Sequence, residues 1–239
     1  MQDIILFHGS RGGIVGDIKP VSRPGTDFGS GFYMGTNEEQ VKSLACQSDE
    51  PVFYKMKLQL SKINETKILS LDGMEWAFFV LYNRGKLEDI KDSELYNHFK
   101  HLSDDKEVII GPIADDNLIS SMKKFINNEI TDIVFEKCIK SLNLGYQYVL
   151  KTDNACKLIE KPFLIERDIN ESEKNDIRKN SEIRKNESKE AVNSILHEYY
   201  GEGQFFSDIL DNICSSTINR SYENDNERFW YLLHAGRYF

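Results

Sequence analysis

Residues 26–36 read TDFGSGFYMGT, and this stretch places glycines around aromatic rings. Gly29, Gly31 and Gly35 surround the adjacent pair Phe32 and Tyr33. Glycine lets a backbone turn sharply or approach another group closely. The stretch is therefore either a loop with a buried anchor or a surface on which a flat ligand lies. Neighbouring side chains on a strand point to opposite faces. We therefore expect Phe32 in the core and Tyr33 against a ligand.

The sequence around this stretch interleaves short strands with helices. Thr36 is followed three residues later by Glu39, a capping-box pattern that predicts a helix over residues 37–47. Apolar runs and period-two alternation predict strands at residues 4–8, 51–60, 108–110 and 146–150. Apolar residues at helical spacing and N-cap residues predict helices at 74–84, 117–127 and 132–142, and one that begins at Thr152. This pattern favours an α+β domain over a long doubly wound sheet.

The composition changes after residue 165. Residues 168–190 are almost wholly charged or polar, which is typical of a charged linker or a solvated helix. Apolar residues then return at helical spacing in three groups, at 191–199, 205–213 and 229–234. We expect a main domain over residues 1–165, the linker or solvated helix over 166–190, and a small all-helical C-terminal extension over 191–239.

Composition and charge narrow the class of protein. The chain has 239 residues, 29% of them charged, and a net charge of −9. It therefore lacks the basic balance of most tight nucleic-acid binders, although a local basic patch fits this composition. The N-terminus has no signal-peptide pattern and no apolar run could cross a bilayer, so we expect a cytoplasmic protein without a membrane partner. Four cysteines without a CxxC pair predict reduced structural thiols and no metal site.

Five sequence blocks follow one another along the first 160 residues: LFHGS (6–10), DFGSGFYMGT (27–36) with the helix that follows it, EWAFFVLYNR (75–84), IIGPIADD (109–116) and YQYVLKTDNACKLI (146–159). In sequence and in order these blocks resemble the diphtheria-toxin- and PARP-like (H-Y-x) branch of the ADP-ribosyltransferases, and most of all a bacterial toxin-like family within it. The resemblance implies a split β-sheet core with flanking helices that binds NAD, as co-substrate, in a cleft. It does not extend beyond about residue 165.

The resemblance also implies roles for single residues. His8 would hydrogen-bond a ribose hydroxyl of the adenosine half, Gly9 would offer backbone groups to the nicotinamide amide, and Tyr33 would stack on the nicotinamide ring. Gln147 falls where the superfamily often carries a glutamate, so it would keep a hydrogen bond to the second ribose without bringing a charge. The NAD-binding residues implied in this way are His8, Gly9, Ser10, Gly31, Phe32, Tyr33 and Arg84.

Two interpretations are open for each of Asp115, Asp116 and Arg84. Asp115 and Asp116 are candidates for the carboxylate that Gln147 lacks, or they cap the helix that follows them. Arg84 either approaches a phosphate, which its planar fork suits, or lies at a helix end that Gly85 closes.

The function implied by the resemblance is NAD-dependent ADP-ribosyl transfer to a macromolecule, which is either RNA or DNA or a protein. We expect a toxin that acts inside the producing cell, in a toxin–antitoxin or phage-defence system, with an antitoxin protein as a partner. The alternatives are a catalytically weak module that binds NAD or ADP-ribose, and an NAD glycohydrolase that uses water.

Overall fold

A computed structural model of the chain describes residues 2–47, 50–113, 116–141, 144–166, 169–209 and 211, without the side chains at 89, 94, 116 and 166. The strands are β1 (Ile4–Ser10), β2 (Phe32–Gly35), β3 (Val52–Leu58), β4 (Ile68–Ser70), β5 (Val108–Pro112), β6 (Tyr146–Leu150) and β7 (Leu164–Glu166). The helices are α1 (Glu38–Ala45), α2 (Gly73–Asn83), α3 (Glu94–His101), α4 (Asp116–Ile126), α5 (Asp132–Ser141), α6 (Asp153–Cys156) and α7 (Glu171–Glu198).

The seven strands form one mixed sheet in the order β4-β5-β6-β2-β1-β3-β7. All neighbouring strands are antiparallel except β4 and β5, which are parallel. The predicted α+β class is therefore confirmed. The pairing is uneven: β1 pairs with β3 along seven residues, whereas β1 meets β2 at Phe7 and Gly35 alone. The sheet thus consists of two well-paired halves, β4-β5-β6-β2 and β1-β3-β7, that are joined by one β1–β2 residue pair.

Each face of the sheet carries an apolar core. On one face α2, α4 and α5 cover a cluster that includes Trp76, Phe79 and Phe135, all at most 1% exposed. The other face holds a smaller cluster that includes Leu6, Tyr54 and Leu150. Two-sided burial explains why β5 reads as a continuous apolar run, because neither of its faces meets water.

Helix α1 begins one residue later than the capping-box pattern predicts. Asn37, not Thr36, is the N-cap, and its side chain accepts from the backbone N–H of Gln40. The hydroxyl of Thr36 instead accepts from the backbone N–H of Tyr146 at 2.9 Å. The N-cap prediction at Thr36 is therefore wrong, because a contact with β6, 110 residues away, takes the oxygen that would have capped the helix.

The charged segment after residue 168 is helical. Helix α7 covers 171–198 without a break and so crosses the boundary placed at residue 190. Arg184 pairs with Glu39 on α1 at 2.8 Å, and Val192 joins the larger core. Phe206 and Ile209 also belong to that core, whereas the predicted helical group at 229–234 lies outside the described residues. No helix among the described residues is long and apolar enough to cross a bilayer.

Candidate functional site

Strand β2 presents its two aromatic residues to different environments. Phe32 is 6% exposed and belongs to the smaller core, as predicted. Tyr33 is half-buried and packs against the larger one. Its hydroxyl donates to the carbonyl of Gly29 at 2.7 Å and accepts from the N–H of Phe28 at 2.9 Å. Burial raises the pKa of Tyr33 to about 12, so the hydroxyl stays protonated and ties the preceding loop to the strand.

His8 lies on β1 directly after Phe7, the residue that pairs with β2. Its Nδ1 is 2.7 Å from the backbone oxygen of Tyr33. Because a carbonyl can only accept, Nδ1 carries the proton and the neutral ring offers Nε2 as an acceptor. Burial lowers the pKa of His8 below 6.5, and the hydrogen bond to Tyr33 partly opposes this shift, so the ring is neutral at pH 7. Among the described residues nothing donates to Nε2.

The glycines of the two predicted motifs pack closely against neighbouring elements. A side chain at Gly9 would lie 2.9 Å from the β-carbon of Ala45 on α1. A side chain at Gly31 would overlap Val149 and lie 2.9 Å from the carbonyl of Leu150. The structure therefore gives both glycines a packing reason, beside the nicotinamide contact predicted for Gly9. Next to Gly9, the hydroxyl of Ser10 accepts from the N–H of Gly13 at 3.1 Å.

Gln147 is 8% exposed on β6 and is held by two acceptors. Its Nε2 donates to Oδ2 of Asp27 at 3.1 Å and to the carbonyl of Pro112 at 3.0 Å. Gly35 on β2 lies opposite Gln147, and Phe7 on β1 lies opposite Gly35. Two strand spacings, roughly 10 Å, therefore separate the backbones of Phe7 and Gln147.

Asp27 connects two of the predicted residues. Arg84 donates to Oδ1 of Asp27 from Nε at 2.8 Å and from Nη2 at 2.5 Å, while Gln147 reaches Oδ2. Asp27 stands in the motif at residues 27–36, but no role was predicted for it. Its partners are 57 and 120 residues away, so no local pattern could have indicated them.

Arg84 also borders a cavity next to this network. The cavity has a volume of about 220 Å³ and is lined by Gly25, Leu81, Arg84, Lys86, Ile119 and Lys123. Gly85 adopts φ 64° directly after Arg84, so it closes α2 as the alternative interpretation of this segment predicts. Both interpretations of Arg84 thus stay open, because its Nη1 has no partner among the residues that the structure describes.

The structure says little about the two predicted carboxylates. Asp115 lies outside the described residues, and Asp116 is the first residue of α4, with no described side chain. Lys151, for which no role was predicted, donates from Nζ to the carbonyl of Phe28 at 2.9 Å, and burial lowers its pKa. Within the described ranges no three His, Cys, Asp or Glu side chains form a metal-binding group.

Comparison with known proteins gives one match. Residues 4–160, which include β1 to β6 and all the side chains of the network around Asp27, match the family described as "Protein of unknown function (DUF3990)". No curated protein and no solved structure matches the chain. Since the match covers well over half of the sequence, the chain belongs to the DUF3990 family.

Proposed function

We propose that the protein is an NAD-dependent ADP-ribosyltransferase. The observation that carries the proposal is the pair of unused acceptors on the two strands that flank β2. Nε2 of His8 and Oε1 of Gln147 both lack a donor among the described residues, while the opposite atom of each side chain is fixed by a hydrogen bond. Two fixed acceptors on strands one position either side of β2 suit a ligand with two sets of hydroxyl groups, such as the two riboses of NAD.

The residues between these acceptors form one connected network. His8 binds the backbone oxygen of Tyr33, and the hydroxyl of Tyr33 binds Phe28 and Gly29. Asp27 directly precedes this pair and binds Gln147. Such a network holds both acceptors in place before a ligand arrives, which lowers the entropic cost of binding.

The proposed reaction breaks the bond between the nicotinamide nitrogen and the ribose C1′. Nicotinamide leaves as a neutral molecule with the bonding electron pair, and C1′ gains oxocarbenium character. A nucleophile of the acceptor forms the new bond to C1′ and releases one proton to solvent. The role of the chain is to hold the ribose hydroxyls and to surround the developing positive charge with acceptor atoms.

The cavity beside Arg84 supports a nucleic acid as the acceptor. Arg84, Lys86 and Lys123 give it three cationic side chains in a chain whose net charge is −9. Only Arg84 among them has a carboxylate partner within the described part of the chain. Phosphate groups are the ligands that such a cationic cavity suits best. Modification of nucleic acid inside the producing cell would agree with the proposed role as a toxin.

The test is to incubate the purified protein with NAD labelled in the adenylate phosphate, together with RNA, DNA and a protein extract. Nicotinamide release and label on each polymer are measured separately. We expect both signals for the wild type and a loss of both, on the order of 100-fold, for Gln147→Ala. Gln47→Ala, at an exposed position after α1, serves as the matched control and should match the wild type.

Other outcomes point to the alternatives. Nicotinamide release with ADP-ribose free in solution, and no labelled polymer, indicates the NAD glycohydrolase. Binding of NAD without nicotinamide release indicates the weak binding module. Absence of both binding and release overturns the proposal.

A further inference from the structure

The amide of Gln147 has a fixed orientation. Both of its partners, the Asp27 carboxylate and the carbonyl of Pro112, can only accept hydrogen bonds, so both must face the NH₂ group. The two N–H bonds of the amide are therefore used inside the protein. Oε1 is left as an acceptor, which is the hydrogen-bonding character that a glutamate oxygen has.

The carboxylate of Asp27 lies directly behind this amide. Its side chain is 12% exposed, whereas that of Arg84 is 31% exposed. Arg84 holds Oδ1 with two donors and so turns Oδ2 towards Gln147. The negative charge is thus less exposed than the positive charge of its partner, which is more open to screening by water.

From this arrangement we propose that Asp27 is a positioning residue that acts through Gln147, so that the two side chains together replace a single catalytic glutamate. This inference rests on the proposed function. Gln147 supplies the oxygen that accepts the ribose hydroxyl, and Asp27 supplies the negative charge one hydrogen bond behind it.

A carboxylate at this place would assist the reaction in two ways. A hydrogen bond donated to a charged acceptor is stronger than one to a neutral acceptor, and it polarises the amide so that its oxygen becomes a better acceptor. The charge also favours a developing positive charge at C1′. A purely structural Asp27 would only tether the loop to Arg84, and its oxygen facing Gln147 would have no bearing on the reaction.

The test compares Asp27→Asn, Gln147→Glu and the exchanged pair Asp27→Asn/Gln147→Glu in nicotinamide release. Asp27→Asn should lower kcat on the order of 100-fold with KM for NAD changed only a few-fold. Gln147→Glu alone should also lose activity, because it sets two carboxylates against each other and removes the donor to Pro112. The exchanged pair restores one charge and one hydrogen bond, so it should recover at least about tenfold over Asp27→Asn. Gln47→Glu and Asp105→Asn, both exposed, are the matched controls.

The possible results distinguish the positioning role of Asp27 from the proposed function. An active wild type with unchanged Asp27→Asn overturns this inference and leaves the proposed function standing. The inference also fails if Gln147→Glu equals or exceeds the wild type, a result that does not require Asp27→Asn to fold. An exchanged pair no better than Asp27→Asn, although folded by circular dichroism, assigns Asp27 to structure alone. A wild type that releases no nicotinamide overturns the proposed function itself.

Discussion

Tyr33 connects three parts of the chain through its own polar atoms. Its backbone oxygen accepts from His8 on β1, while its hydroxyl binds both Gly29 and Phe28 in the loop before β2. A phenylalanine at this position would leave the N–H of Phe28 without that acceptor. The structure therefore explains a tyrosine here by its hydroxyl, and stacking of its ring on nicotinamide stays a prediction.

The neutral ring of His8 should make the protein sensitive to acid. Its folded-state pKa lies below the unfolded value of about 6.5 because burial disfavours the charged form. The stability that it contributes is therefore complete above pH 6.5 and is lost as the pH falls through the folded-state pKa. We expect His8→Gln, which keeps a donor for Tyr33, to show a smaller drop in Tm between pH 7 and pH 5 than the wild type. Thermal melts across that range measure this difference.

A matched substitution controls for the general effect of acid. His101→Gln changes a side chain that is 55% exposed and pairs with Asp104 on the surface. That variant should keep the steep acid response of the wild type. Equal pH dependence in His8→Gln and in the wild type would show that His8 does not carry the effect.

At the scale of secondary-structure elements, a glycine lets α1 approach β1 closely. Val41 and Ala45 of α1 lie against Gly9, with the carbonyl of Val41 3.1 Å from where a β-carbon would stand. This contact fixes α1 over the end of β1, close to the pair of Phe7 and Gly35 that joins β1 to β2.

Gly9→Ala should therefore move α1 away from β1. Overpacking of this kind destabilises a protein by about 1–3 kcal/mol. Ala45→Gly in the same chain removes the nearer obstacle and should recover part of the loss, although glycine at the end of a helix weakens it by up to about 1 kcal/mol. Urea unfolding of both single variants and the double variant measures the coupling. Strictly additive losses would contradict the contact as the cause.

The sequence predicted those elements whose signals are local. Strand β6 at Tyr146–Leu150 and the Thr152-capped helix after it appear where alternation and capping residues place them. Helix α3 and the three-residue strand β4 were missed, the latter because it is defined mainly by its parallel pairing with β5. The network of Asp27, Arg84 and Gln147 could not be predicted either, because its members are distant in sequence and meet only in the folded chain.

Over the chain as a whole, the net charge is negative, but one cavity is lined by positively charged side chains. The net charge of −9 predicts weak attraction to polyanions, yet Lys86 and Lys123 line a cavity beside Arg84. Arg84 borders this cavity and also binds Asp27, whose other oxygen accepts from Gln147. The cavity is thus connected to the proposed site of ADP-ribosyl transfer through these three side chains.

Salt dependence should identify this cavity as the acceptor site. Each phosphate contact of a single-stranded nucleic acid contributes roughly 0.7 to the slope of log affinity against log salt. Removing two contacts in Lys86→Ala/Lys123→Ala should therefore weaken acceptor binding and make the slope shallower by about 1.4. The control Lys179→Ala/Lys189→Ala, on the exposed side of α7, should keep the wild-type slope. Fluorescence anisotropy with a labelled oligonucleotide at several salt concentrations measures both slopes, and equal slopes for the two double variants would exclude the cavity as the phosphate-binding site.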